Sequence, residues 1–127
     1  MKFARYTFAG AGIYGILVLL PHYFLYDKVG TDNPPAITHP EYFYGFVGVA
    51  LAFQLVFLVI ASDPVRYRPI IPTAIFEKFS FGIPTMILLL EGRVGGPIVL
   101  GAAFDLVLGV LFVAAYFKLL REPAATK

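Results

Sequence analysis

An all-α transmembrane four-helix bundle is the fold class this sequence predicts, and three observations predict it. Apolar residues make up 59% of the chain and charged residues only 14%, where a soluble domain carries roughly a quarter charged residues. Mean hydropathy is +0.80. The apolar residues gather into four runs of about 19 or more residues, near the ~20 needed to cross ~30 Å of hydrocarbon. None of the runs alternates as a spanning strand would.

At 127 residues the chain reads as a single integral membrane domain covering 1–127. The first run, 6–26, follows the basic start MKFARY, which a signal peptide would share. It continues past signal-peptide length and lacks a small-x-small cleavage site before PHYFLY, so an uncleaved first helix is expected. The second run is 42–61, the third 72–90 and the fourth 97–120. Between the first two, Asn33-Pro34-Pro35 and His39-Pro40 predict a turn-rich, partly extended segment over 27–41 rather than a helix. Asp63-Pro64 carries a helix-start signal, with Asp as cap and Pro at the first position. GRVGGP at 92–97 predicts a tight hairpin, and Pro84 a bend in the third helix. The tail from Glu122 onward is short and polar, and fraying is expected there. Short connections force neighbouring helices antiparallel, which gives an up-down-up-down order.

Basic residues set the expected orientation. Lys2, Arg5, Arg66, Arg68, Lys118, Arg121 and Lys127 fall on one side, Lys28 and Arg93 on the other. The positive-inside rule places both termini and the Arg66–Arg68 turn in the cytoplasm. With 13 Phe, eight Tyr and no Trp, the interfacial aromatic belt falls to Tyr. Gly10, Gly12 and Gly15 in the first helix, Gly45, Gly48 and Ala52 in the second, and Gly101, Ala102 and Gly109 in the fourth are where helices can approach closely.

The chain has no cysteine, which excludes disulfides, thiolate metal sites and a cysteine nucleophile. His22 and His39 stand in unlike settings without a third ligand, so no metal site and no cofactor are expected. The net charge is only +2. Membrane lipids are the expected partners, with an apolar small molecule and a homo-oligomer or larger membrane complex as further candidates and no nucleic acid.

Ionisable groups inside a bilayer are costly and therefore the strongest functional lead. The candidates are Glu77, Lys78 and Asp105, supported by Gln54, His22 and Tyr14. Glu77 and Lys78 are adjacent, about 100° apart on a helix, and form no efficient pair with each other. Lys78 is expected to snorkel to the cytoplasmic headgroups, while the shorter Glu77 faces the bundle, near Thr73, Ser80 and Pro84. Asp105 shares a face with Gly101, Ala102, Leu108 and Gly109, which places it on a helix contact. Gln54 lies at a depth that allows a hydrogen bond to Glu77, and His22 either reaches Asp105 or sits among headgroups. Arg66 and Arg68 flank Tyr67 and are read as headgroup-binding cations.

Several stretches carry a resemblance: ITHPEYFYGFVGVALAFQ at 37–54, DPVRYRP at 63–69, the following EKFSFG, and DLVLGVLFVAAY near the end. They resemble a group of small bacterial four-helix membrane proteins without an assigned function, and in size and helix count the chain is similar to the broader DoxX-like set. The resemblance implies a four-helix fold in a bacterial inner membrane, offers no catalytic residues to carry over and leaves function open. The extensive small-residue faces and the lack of a catalytic signature make a non-enzymatic structural, accessory or apolar-ligand-binding protein the expected function. The alternative is a small membrane enzyme acting on a lipid or isoprenoid through Glu77 and Asp105. A transporter fits less well, because four helices without an inverted repeat give little room for alternating access.

Overall fold

The computed structural model describes residues 1–123; Lys127 and the rest of the polar tail, 124–127, lie outside the described residues. The elements are α1 (Lys2–Leu19), α2 (Tyr26–Asp32), α3 (Pro40–Ser62), α4 (Ile71–Leu90) and α5 (Pro97–Leu119), with 3-10 turns at Leu20–Phe24 and Arg68–Ile70. Counting those turns, four helices of 23 residues each are long and apolar enough to cross a membrane. No strand occurs among the described residues. The chain is a small multi-pass membrane protein built as a helical bundle.

Local chemistry explains each boundary. Pro21 has no N–H to give the Leu17 carbonyl, so α1 tightens into a 3-10 turn there. The segment after it departs from expectation, because residues 26–32 are helical. The Thr31 hydroxyl donates to the Asp27 carbonyl at 3.0 Å and Lys28 pairs with Asp32 at 3.0 Å, so the turn closes on itself. The proline and asparagine signals act only beyond it, over 33–39. Pro40 occupies the first turn of α3, where its missing N–H costs nothing.

Asp63-Pro64 starts one turn only. The Asp63 carboxylate accepts from the Arg66 N–H at 3.3 Å and its carbonyl from the Tyr67 N–H at 3.0 Å. Pro69 then interrupts the ladder, and α4 begins at Ile71. Pro84 sits inside α4, which stays helical through it. At its far end α4 closes with a Schellman motif: the Arg93 N–H donates to the Leu88 carbonyl and the Gly92 N–H to the Leu89 carbonyl, both at 2.9 Å. Gly92 supplies the required left-handed residue at φ 72°.

Helix C-termini at the end that carries the chain termini are closed by arginine. Arg5 Nη1 donates to the Ser62 carbonyl at 3.2 Å, closing α3. Arg68 Nη1 donates to the Leu119 carbonyl at 2.6 Å and, more weakly, to the Glu122 carbonyl at 3.5 Å, closing α5. Arg68 is thus committed within the protein, and Arg66 is the exposed cation of the pair, stacked on Tyr67 at 5.4 Å. Arg68→Ala should lower stability in detergent unfolding by about 1 kcal/mol, since a cation at a helix C-terminus is worth this much. Arg66→Ala should leave stability unchanged.

Packing divides the spans unevenly. The tight pairs are α1 with α3 and α4 with α5; α1 also meets α5, while the consecutive helices α3 and α4 touch little. The core gathers at the end bearing the chain termini: Ala4, Phe8 and Ala11 meet Phe57 and Ile60, with Ile71, Ala74, Phe112, Ala115 and Leu119. Phe8 stacks on Phe112 at 4.2 Å, and Phe57 meets Phe112 edge-on at 5.0 Å. Within an apolar 18-residue stretch of each span only 22–28% is buried inside the protein, so most of its apolar surface is left for lipid. At the opposite end Tyr23, Tyr26 and Tyr44 cluster, with the Tyr26 hydroxyl donating to the Ile37 carbonyl at 3.0 Å. They stand where an interfacial belt belongs.

Candidate functional site

Small residues bring α4 and α5 together around Lys78. A Cβ on Gly109 would overlap the Phe79 ring and press on Lys78 Cβ, and one on Gly82 would strike Leu106. Ala102, also on the contact, is fully buried. Gly101 faces open space, so Asp105 is bracketed by Ala102 and Gly109 rather than by two glycines.

Lys78 is 4% exposed and does not snorkel. Its Nζ donates to Asp105 Oδ1 at 3.3 Å, lies 3.7 Å from Glu77 Oε1, and sits 5.0 Å from the centroid of the Phe57 ring. The side chain leaves α4 on the face turned to α5, where a carboxylate is near and the aqueous interface is not. A stem pointing into a helix contact cannot bend back along the lipid face, and snorkelling requires that face. One ammonium therefore serves two carboxylates, and the cluster carries one negative charge in excess when all three groups are ionised.

The two carboxylates are held unequally. Asp105 has the hydrogen bond. Glu77, beside Lys78 in sequence, has only the longer ion pair, and its Oε1 is buried without a hydrogen-bond partner. That inequality follows from adjacency: neighbouring side chains diverge on a helix, so Lys78 can aim at only one acid.

Glu77 also borders the opening left by the poor α3–α4 contact. A lateral cleft of about 580 Å³ runs between these helices, within the size range of small-molecule sites. Helix α3 contributes Gly45, Phe46, Val49, Ala50 and Phe53; α4 contributes Phe76, Glu77, Ser80 and Phe81. Phe46 and Phe81 face each other at 5.8 Å. Phe46, Val49 and Phe76 are exposed at the rim, so the mouth opens sideways, toward lipid in a membrane. Glu77 is the single charged residue on its wall.

The other candidates are elsewhere. Gln54 is 1% exposed, but its amide nitrogen donates to the Ala50 carbonyl at 2.8 Å, one turn back on α3, and makes no bond to Glu77. Its side chain packs on α1, where a Cβ on Gly15 would fall inside the amide group. The amide oxygen is buried without a partner. Tyr14 is 37% exposed and rests against Phe104 at 5.5 Å. His22 donates from Nδ1 to the Val18 carbonyl at 2.7 Å, lies 6.4 Å from Phe43 and makes no bond to Asp105. Among the glycines, Gly12 and Gly15 form the α1–α3 contact, while Gly10 and Gly45 have nothing within reach of a Cβ. Ala52 is exposed.

The four cleft phenylalanines escaped sequence reading. Their only signal is the spacing 46/53 and 76/81, and helices facing lipid are apolar all round, so such a stripe has no contrast. Compared with known proteins, the chain matches no family model, no curated protein and no solved structure.

Proposed function

We propose that this protein binds an apolar ligand which enters the α3–α4 cleft sideways from the bilayer, with Glu77 as the polar anchor. The observation that carries this reading is a ligand-sized, phenylalanine-walled cleft on which Glu77 is the single charged residue. Acid–base catalysis by both carboxylates is less well supported, because Asp105 is bound by Lys78 and is absent from the cleft wall.

The setting we propose is a bacterial inner membrane, on the resemblance of 37–54 and 63–69. Both termini and Arg66 lie at the cytoplasmic face, on the distribution of basic residues. Reporter fusions at the C-terminus test this: cytoplasmic reporter activity is expected, and a periplasmic signal would overturn the orientation.

Gly45→Phe tests the binding reading. A Cβ at Gly45 meets nothing within 4 Å, so the new ring should fill the cleft without disturbing the fold. Native mass spectrometry should show an apolar molecule retained by the wild type and lost from Gly45→Phe, with unchanged unfolding stability. Equal retention by both proteins would refute binding in the cleft.

A further inference from the structure

Resting on that binding reading, we infer that the ligand class is a lipophilic cation: an apolar or aromatic body bearing a positive charge. Two independent features of the cleft point to it. The first is charge. Glu77 and Asp105 share the single ammonium of Lys78, and the acid left without a hydrogen bond is the one on the cleft wall. The face that α3 contributes has no charged residue, and α4 adds only Ser80, whose hydroxyl is turned to the Glu77 carbonyl at 2.9 Å. With all three groups ionised, the unbalanced charge is negative, and Glu77 brings it to the cleft wall. An uncompensated charge in a medium of low dielectric is costly, and a ligand of opposite sign removes that cost.

The second feature is the wall itself. Phe46, Phe53, Phe76 and Phe81 line the same cleft as Glu77, and ring faces attract cations, most strongly where water is excluded. This protein already shows the preference within the bundle, in Lys78 over Phe57 at 5.0 Å. A neutral apolar molecule would use the rings for contact area but leave Glu77 unmatched. An anionic amphiphile would meet the carboxylate directly.

The test compares two probes of the same tetrahedral shape, tetraphenylphosphonium and neutral tetraphenylsilane. Each is equilibrated with the full-length protein in nanodiscs, with partition into empty nanodiscs subtracted. The cation should bind at least about tenfold more tightly than the neutral probe, the effect of one charge pair in a partly dry site. Glu77→Gln should abolish that difference, Glu77→Asp should keep most of it, and Gly45→Phe should remove binding of both probes. If both probes bind the wild type equally, the cation inference fails while the cleft reading stands. If neither is retained, the cleft reading itself fails. The wild-type comparison needs no variant, so the inference is falsifiable even where Glu77→Gln does not fold.

Discussion

Lys78→Met should cost about 3–5 kcal/mol of stability, the range for removing one partner of a buried ion pair. Methionine keeps the length of the stem and deletes the ammonium. Asp105 would lose its donor at 3.3 Å and Glu77 its counter-charge at 3.7 Å, leaving two carboxylates together and the Phe57 ring without its cation. The loss is conditional on those charges. The triple variant Lys78→Met, Glu77→Gln, Asp105→Asn should recover most of it, because neutral amides have little to lose from the missing ammonium. Denaturant titration in mixed micelles reads both values. A Lys78→Met protein as stable as the wild type would show that the ammonium reaches water and that the cluster does not exist.

Gly15→Ala should cost about 1–3 kcal/mol, the usual penalty for overpacking a tight contact. The added methyl would occupy space held by the Gln54 amide, and Gln54 is 1% exposed with its amide oxygen already unpartnered. It has nowhere to move except into the α1–α3 contact. Gln54→Ala in the same chain should relieve the overlap, making the double variant more stable than Gly15→Ala alone. Gly10→Ala is the control: nothing lies within 4 Å of its Cβ, and its effect should stay within about 0.5 kcal/mol of zero.

These two sites mark the boundary of what sequence reading reaches. The spans were legible because hydrocarbon thickness imposes a length, and 42–61 and 72–90 lie within the observed α3 and α4 with little to spare. The depth of Glu77, Lys78 and Asp105 followed from the same counting. Rotation was not legible. In a helix bathed in lipid the apolar residues mark no inward face, so nothing in the chain says that Gln54 turns to α1 rather than to Glu77. Lys78 departs from snorkelling for the same reason, because the partner that decides its direction, Asp105, lies on a different helix. Arg68 repeats the pattern, since its acceptor is the Leu119 carbonyl at the end of α5. For α2 the reason is range, since the prolines at 34, 35 and 40 lie beyond residues 26–32 and leave their helical turn intact.

Glycine is a partial exception. Small residues did indicate where helices meet, and Gly12, Gly15 and Gly109 are such places. Gly45 and Gly101 are not, and Gly45 lines the cleft instead. An absent side chain permits close approach but does not require it.

Photo-cross-linking from the cleft wall tests its occupancy most directly. A diazirine amino acid at Val49, on the cleft wall, is compared with one at Val107 on α5, which is similarly exposed but outside the cleft. Irradiation in native membranes followed by mass spectrometry should give one discrete adduct at position 49 and the mixed bulk lipids at position 107. The same lipid mixture at both positions would contradict a ligand site between α3 and α4.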